Sequence, residues 1–256
     1  MSQMGKPFYD ELYRREKNHW WFACRRRLAS DALRRYRMKT PGRVLDMGCG
    51  TGAMLDELRD LGTAFGLDIS PTALSYCAAR GHTRLALGAG ENLPYQAAAF
   101  DGIVSLDVIE HIEADRLVLQ NLFRICHDGA LVVITVPVTP WLWTTRDDRL
   151  LHKRRYTRPR LLGIARTAGF EIVKCSYYCV FFFPIVAAVV LLNRLLGRKP
   201  DVRDDIPSVN PLLNVILSVV LRAEQWLMRW VNYPFGVSLF CVLRKPVAFA
   251  ASISKT

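Results

Sequence analysis

Residues 43–52 read RVLDMGCGTG: an apolar β-type run with an acid near its end, then glycine at every second position, Gly48, Gly50 and Gly52. Glycine permits a tight turn and close backbone approach, and a helix beginning directly afterwards points free N–H groups at whatever sits there. Strand, turn and helix N-terminus in that order open a doubly wound α/β fold. The Gly-x-Gly-x-Gly spacing differs from the Gly-x-Gly-x-x-Gly of dinucleotide-binding turns.

Outward from this stretch, short apolar runs alternate with helical ones. Strands are expected near 43–48, 64–68, 101–106 and 131–137, with a weaker one near 83–87, and helices near 52–61, 71–80 and 115–126. Such alternation predicts a parallel sheet with helices on both faces. Residues 8–38 read as a helical preface that Thr40-Pro41-Gly42 stops. Further strands are expected at 170–178, after Gly169, and at 237–244, after Pro234-Phe235-Gly236. Between these two lie an apolar run at 179–196 broken by Pro184, a charged link at 199–205, and a second apolar helix from near Pro211 to near Trp230.

Two more signals follow the glycine turn. GLDIS (66–70) ends the second strand and places the Asp68 carboxylate, beside Ile69, where it can accept ribose hydroxyls. GAGENLPY (88–95) and FDGIVSLDVIEHI (100–112) put Glu91, Asn92 and Leu93 before the fourth strand and Asp107, Glu110 and His111 after it.

Taken together, VLDMGCGTG, GLDIS, ENLPY and FDGIVSLDVIEHI resemble class I S-adenosylmethionine-dependent methyltransferases of the type 11 group, over roughly residues 40–178 and 237–244. The resemblance implies an α/β fold with a doubly wound, seven-stranded Rossmann-like sheet whose last strand is antiparallel, a methyltransferase activity, and S-adenosyl-L-methionine as cofactor. It places Asp46, Gly48, Cys49, Gly50 and Gly52 at the methionine side, Asp68 and Ile69 at the ribose, Glu91, Asn92 and Leu93 around the adenine, and Asp107 beside the methionine end. Ala89 departs from the pattern, which usually has an Asp two positions before the Glu, and the glycine pair of the fifth-strand turn is reduced to Asp128-Gly129.

Methyl transfer to a hydroxyl asks for alignment and for removal of a proton. His111 follows the fourth strand at the edge where α/β sheets hold ligands, and it is read either as a base or, with Glu110, as a cap of the next helix. Residues 141–157, WLWTTRDDRLLHKRRYT, follow the fifth strand and are too polar for core. Asp148 and His152 are four apart, so a helix there would put them on one face and make His152 a second candidate base. Arg154, Arg155 and Tyr156 offer phosphate or carboxylate recognition. This stretch and NHWWFACRRR (18–27) resemble a bacterial, membrane-associated methyltransferase subgroup with HWWF…RRR and D…HxRRY motifs, in which the acid falls on Asp147. That resemblance implies envelope-glycan or lipid-linked glycan chemistry, and Trp20, Trp21, Arg155 and Tyr156 as substrate contacts; for the tryptophans an aromatic hinge is the competing reading.

Composition adds the partner expectation. The 256 residues carry a formal charge of +12 and are 51% hydrophobic, with the apolar excess beyond Tyr177. Arg194, Arg198, Lys199 and Arg203 at the link, with Trp226, Trp230 and Tyr233 after it, suit anionic headgroups and an interfacial aromatic belt. Seven cysteines without CxxC pairing suggest reduced thiols, no metal site is expected, and the polar N-terminus shows no signal-peptide core. The domain reading is a lid or preface at 1–40, a cofactor-binding domain at 41–178 plus 237–246, and an apolar membrane-interacting hairpin at 179–236. Attachment is expected at the cytoplasmic face of a membrane, monotopic or by the hairpin, with an anionic membrane surface and a membrane lipid or lipid-linked substrate as partners and O-methylation of that acceptor as the function. A prenylated quinone precursor, a non-catalytic membrane adaptor and a homodimer are the alternatives carried; nucleic acid is disfavoured, with no appended RNA-binding module.

Overall fold

The computed structural model describes residues 4–197, 206 and 208–247. Strands β1 (Gly42–Met47), β2 (Gly62–Asp68), β3 (Leu85–Leu87), β4 (Phe100–Leu106), β5 (Cys126–Pro137), β6 (Glu171–Tyr178) and β7 (Ser238–Arg244) form one sheet in the order β3-β2-β1-β4-β5-β7-β6. Pairing among β1 to β5 is parallel, and β7 runs antiparallel to both β5 and β6. The expected doubly wound seven-stranded architecture, with an antiparallel last strand and a helical insertion before it, is the observed one.

Alternation along the central strands explains why helices cover both faces. Val132, Ile134 and Val136 join one buried cluster, while Leu131 and Val133 join the other. Helices α5 (Asp115–Ile125) and α7 (Arg158–Thr167) close the first face with Val118, Leu119, Leu122, Leu161 and Ala165. Helices α2 (Trp20–Arg35), α3 (Ala53–Leu58) and α9 (Pro211–Leu227) close the second with Ala29, Leu33, Leu55, Leu58 and Leu221. Between β2 and β3 runs α4 (Pro71–Ala79).

The N-terminal preface is two helices, not one. Helix α1 (Lys6–Arg15) ends before Trp20, where α2 begins with the His19 side chain accepting from Trp21 N. This break lets α1 fold back over the carboxyl edge of the sheet, where Tyr9 and Leu12 are buried with Ala73 of α4.

The insertion between β6 and β7 holds α8 (Phe183–Leu195) and α9, of 13 and 17 residues. Its expected role as a membrane hairpin is corrected. No described helix is long and apolar enough to cross a membrane; 13 residues reach only about 20 Å, against a hydrocarbon core of about 30 Å. Instead α9 packs on α2. Asn214 accepts from Trp20 N at 2.8 Å and donates to Asn18 O at 2.9 Å, and Gln225 donates to Cys24 O at 3.1 Å. With the membrane hairpin fall the anionic membrane surface and membrane lipid as partners, hairpin or monotopic attachment at the cytoplasmic face, and the lipid, lipid-linked glycan and prenylated-quinone acceptors. Arg198, Lys199 and Arg203 of the expected basic link lie outside the described residues.

One buried carboxylate ties the insertion to the sheet. Glu224 of α9 is 0% exposed and accepts the backbone N–H groups of Cys179, of Val180 at 2.9 Å and of Phe181 at 3.3 Å, just past the end of β6. Burial pushes its pKa up, and those three donors pull it back. Glu224→Ala strands them in a water-poor site, so urea unfolding should show a loss of about 2 kcal/mol, while Glu113→Ala, at a largely exposed carboxylate, changes stability by less than about 0.5 kcal/mol.

Candidate functional site

The glycine turn sits where β1 hands the chain to α3. Gly48 N and Cys49 N donate to Leu67 O at 2.8 and 3.0 Å, closing the turn onto β2. Gly48 has φ +80°, and a Cβ there would overlap Val108 Cγ2, so the turn packs directly on the loop after β4. Asp68 closes the adjacent strand end: Oδ2 accepts from Gly50 N and Oδ1 from Ser70 N, both at 2.9 Å. Burial raises its pKa, opposed by these backbone donors. Asp46 has no comparable donors. Burial, then the charges of Asp68 and Glu16, push its pKa up to about 8.

Helix α1 and the residue after it cover this turn. Glu16 accepts from Thr51 Oγ1 and is paired with Arg80 at 2.7 Å, and Leu12 would lie 3.5 Å from a Cβ at Gly50. Asn121 of α5 donates to Gly90 O at 3.2 Å and Glu91 O at 2.7 Å, and Arg124 donates to Leu93 O at 3.3 Å, which holds the ENL segment against the sheet. Glu91 Oε2 is buried with no hydrogen-bond partner. Leu93 is buried and Asn92 exposed.

The chemistry end lies at the loops after β4 and β5. Asp107 has φ +57°, accepts from Thr135 Oγ1 at 2.9 Å through Oδ1, and is ion-paired through Oδ2 with Arg25 of α2. His111 and His152 meet edge-on, ring centroids 4.8 Å apart. Desolvation, then the neighbouring His152, push the His111 pKa down to about 4, so its imidazole is neutral at physiological pH. His152 Nδ1 lies 2.9 Å from Asp147 Oδ1. Asp147 also takes Arg155 Nε at 2.8 Å, Arg155 Nη2 at 2.9 Å and Thr144 N at 2.8 Å. Burial alone would raise the Asp147 pKa; those hydrogen bonds and the Arg155 charge hold it well below the usual carboxylate range.

The helix expected to align Asp148 with His152 stops short: α6 spans only Thr145–Arg149, and Leu151 turns at φ +60°. Asp148 points away, accepting from Trp143 Nε1 at 2.9 Å. The structure thus brings His111, Asp147 and His152 together and leaves Asp148 outside. Arg155 is committed to Asp147 and to Val138 O at 3.3 Å, and Tyr156 is fully buried with its hydroxyl 3.0 Å from Asp115. Trp21 stacks on Tyr178 with ring centroids 5.8 Å apart, and Trp20 packs near Phe182 at 5.3 Å. Arg25, Glu16 and Leu12 border the candidate site, and sequence reasoning did not place them there. Arg25 stood only in a basic cluster, and no spacing connects Glu16 or Leu12 to a turn more than thirty residues away.

A family model described as a methyltransferase domain matches residues 21–174. The chain belongs to this methyltransferase-domain family. A Mycolicibacterium smegmatis protein described as an S-adenosylmethionine-dependent methyltransferase is 28% identical over 163 residues, covering 61% of this chain and 61% of that protein. The Small RNA 2'-O-methyltransferase of Arabidopsis thaliana is 31% identical over 122 residues, covering 41% of this chain and 13% of that protein. The matched part of this chain therefore spans less than two thirds of the length of either relative. Its fold is similar to that of a SAM-dependent methyltransferase of Thermotoga maritima, with TM-score 0.60, 18% identity, and coverage of 94% of this chain and 97% of that one. These findings correct the narrower resemblance: what matches is the general methyltransferase domain, not a membrane-associated bacterial subgroup defined by HWWF…RRR and D…HxRRY.

S-adenosylmethionine is the cofactor of this fold, and the residues present fit it. The Gly48 to Gly52 turn leaves backbone where side chains would intrude, the Asp68 carboxylate is buried at the strand end, and the unpartnered Glu91 Oε2 is an acceptor suited to an amino group. Asp68→Asn keeps the shape and removes the charge. Calorimetry should show S-adenosylmethionine affinity reduced at least tenfold, or about 1.4 kcal/mol, with the fold retained by circular dichroism.

Proposed function

We propose that this chain transfers a methyl group from S-adenosylmethionine to an acceptor hydroxyl seated among Asp107, His111 and His152. The carrying observation is the meeting of two imidazoles, one held by a buried Asp147, on the edge of the sheet where the glycine turn also opens. The acceptor oxygen of the Arabidopsis relative agrees with a hydroxyl.

Bound cofactor supplies a methyl on a sulfonium: the O–CH3 bond forms as the S–CH3 bond breaks, sulfur keeps the electron pair, and the hydroxyl proton is released. The protein's part is alignment and help with that proton. Asp46, Gly48, Cys49, Gly50 and Gly52 receive the methionine side, Asp68 and Ile69 the ribose, and Glu91, Asn92 and Leu93 the adenine. His111 and His152 promote loss of the hydroxyl proton, and Asp147 positions His152. Residues 1–40 act as a lid over the cofactor; 41–178 with 237–246 carry the cofactor site, and 179–236 brace the lid through α9.

Turnover is read as S-adenosylhomocysteine released in the presence of hydroxyl acceptors. His152→Gln should lower kcat about 100-fold or more while changing cofactor affinity less than about threefold; an unchanged kcat overturns the assignment.

Asp46 gives a pH dependence. Its pKa is raised to about 8 in the protein without cofactor, and a cation beside it favours the carboxylate, so binding releases a proton. Affinity should therefore rise with pH from about 6 to about 8 and level off above, whereas Asp46→Asn flattens the profile. Calorimetry in two buffers of different ionisation enthalpy measures the released proton directly.

A further inference from the structure

Glu110 stands in the 3-10 turn Ile109–His111, fully buried, with neither carboxylate oxygen hydrogen-bonded. Leaving a buried carboxyl group without a partner is costly, so such a group implies something that completes it. It faces two other donors. One carboxylate oxygen of Glu110 and one ring nitrogen each of His111 and His152 all lie within 4.8 Å of one another.

We propose that Glu110, His111 and His152 bind a divalent transition-metal cation that also takes the oxygen of the acceptor. The proposal rests on the methyl-transfer reading above and adds to it the substrate class, an acceptor whose hydroxyl, alone or with a neighbouring oxygen, ligates a metal.

The donor set decides the cation. Two imidazoles and one carboxylate suit manganese, iron, cobalt or zinc, while magnesium and calcium favour all-oxygen shells. A cation about 2.1 Å from each donor needs donors roughly 3 to 3.5 Å apart, so the three groups close by roughly 1 Å on binding. Three protein ligands leave positions open for water or substrate, the pattern of catalytic rather than structural sites.

The surroundings are those of a metal-ligating histidine. Asp147 engages His152 Nδ1 at 2.9 Å, which leaves Nε2 for the cation, and Arg155 and Thr144 fix Asp147 in turn. Glu110 is anchored by its backbone, since Lys153 N donates to Glu110 O at 2.8 Å and so joins the two ligand-bearing loops. A cation there lowers the pKa of a hydroxyl that reaches it, so the histidines act on the acceptor proton through the metal.

The test starts with the whole chain stripped by chelator, shown by calorimetry to bind S-adenosylmethionine, and then titrated with cobalt(II). Expected are one equivalent bound with Kd in the micromolar range or tighter, a visible d–d absorption band, and magnesium binding at least 100-fold weaker. Glu110→Gln and His152→Gln should each weaken cobalt binding 100-fold or more, and Asp147→Asn 10- to 100-fold, with cofactor affinity kept. If Glu110→Gln does not fold, His152→Gln and the wild-type titration decide. No stoichiometric cobalt binding by protein that binds cofactor overturns the metal site and leaves methyl transfer standing. So does cobalt binding that neither variant changes, or magnesium binding as tight as cobalt. Loss of cofactor binding in the stripped wild type, not restored by metal, overturns the underlying reading instead.

Discussion

Position 48 has no room for a side chain. A Cβ there would overlap Val108 Cγ2 and sit 2.9 Å from Cγ1, so the turn after β1 and the loop after β4 are packed backbone against side chain. The candidate site is built on that closeness. It sets the glycine turn and Asp68 on one side, and Asp107, Glu110 and His111 on the other, at adjacent points of one sheet edge. In a parallel sheet the carboxyl ends of the strands share a rim, so loops distant in sequence become neighbours there.

The rim is closed from above by segments foreign to the sheet. Helix α1 lays Tyr9 and Leu12 over the glycine turn, Glu16 reaches Thr51 and Arg80, and Arg25 of α2 is paired with Asp107. Helix α2 is itself held by α9, which is anchored through Glu224 to the chain just after β6. A line of hydrogen bonds therefore connects the insertion, the N-terminal helices and the candidate site. Part of the positive charge is spent inside the molecule in this way, as with Arg25, Arg80 and Arg155.

Most of the sheet was legible because its signals are local. The run VLDM is short, mostly apolar and bounded by glycine, which by itself declares a buried strand, and GLDIS and FDGIVSL do the same. The N-terminal preface was legible as helical but not as two helices, since the break at 16–19 carries no proline or glycine and is stabilised from outside by Asn214. The stretch after β5 misled in a related way. Asp148 and His152 have helical spacing, yet the helix ends at Arg149, and Asp147 gains the histidine because Arg155 and the Thr144 backbone satisfy its remaining lone pairs. The apolar insertion read as membrane-seeking because its composition is apolar, but composition does not give helix length: α8 and α9 have 13 and 17 residues, and no described helix is long and apolar enough to cross a membrane.

The sequence by itself determined the strand order of chemistry along the chain: a glycine turn, an acid about twenty residues later, and an Asp-x-x-Glu-His after the fourth strand, each encoded by residues that contact their own neighbours. Only the tertiary structure decided that Glu110 is buried without a partner, that His111 meets His152 across forty residues, and that Arg25 and Glu16 close the site. The physical reason is that burial and ion pairing depend on which surfaces the packed sheet and helices bring together, and no local spacing carries that information.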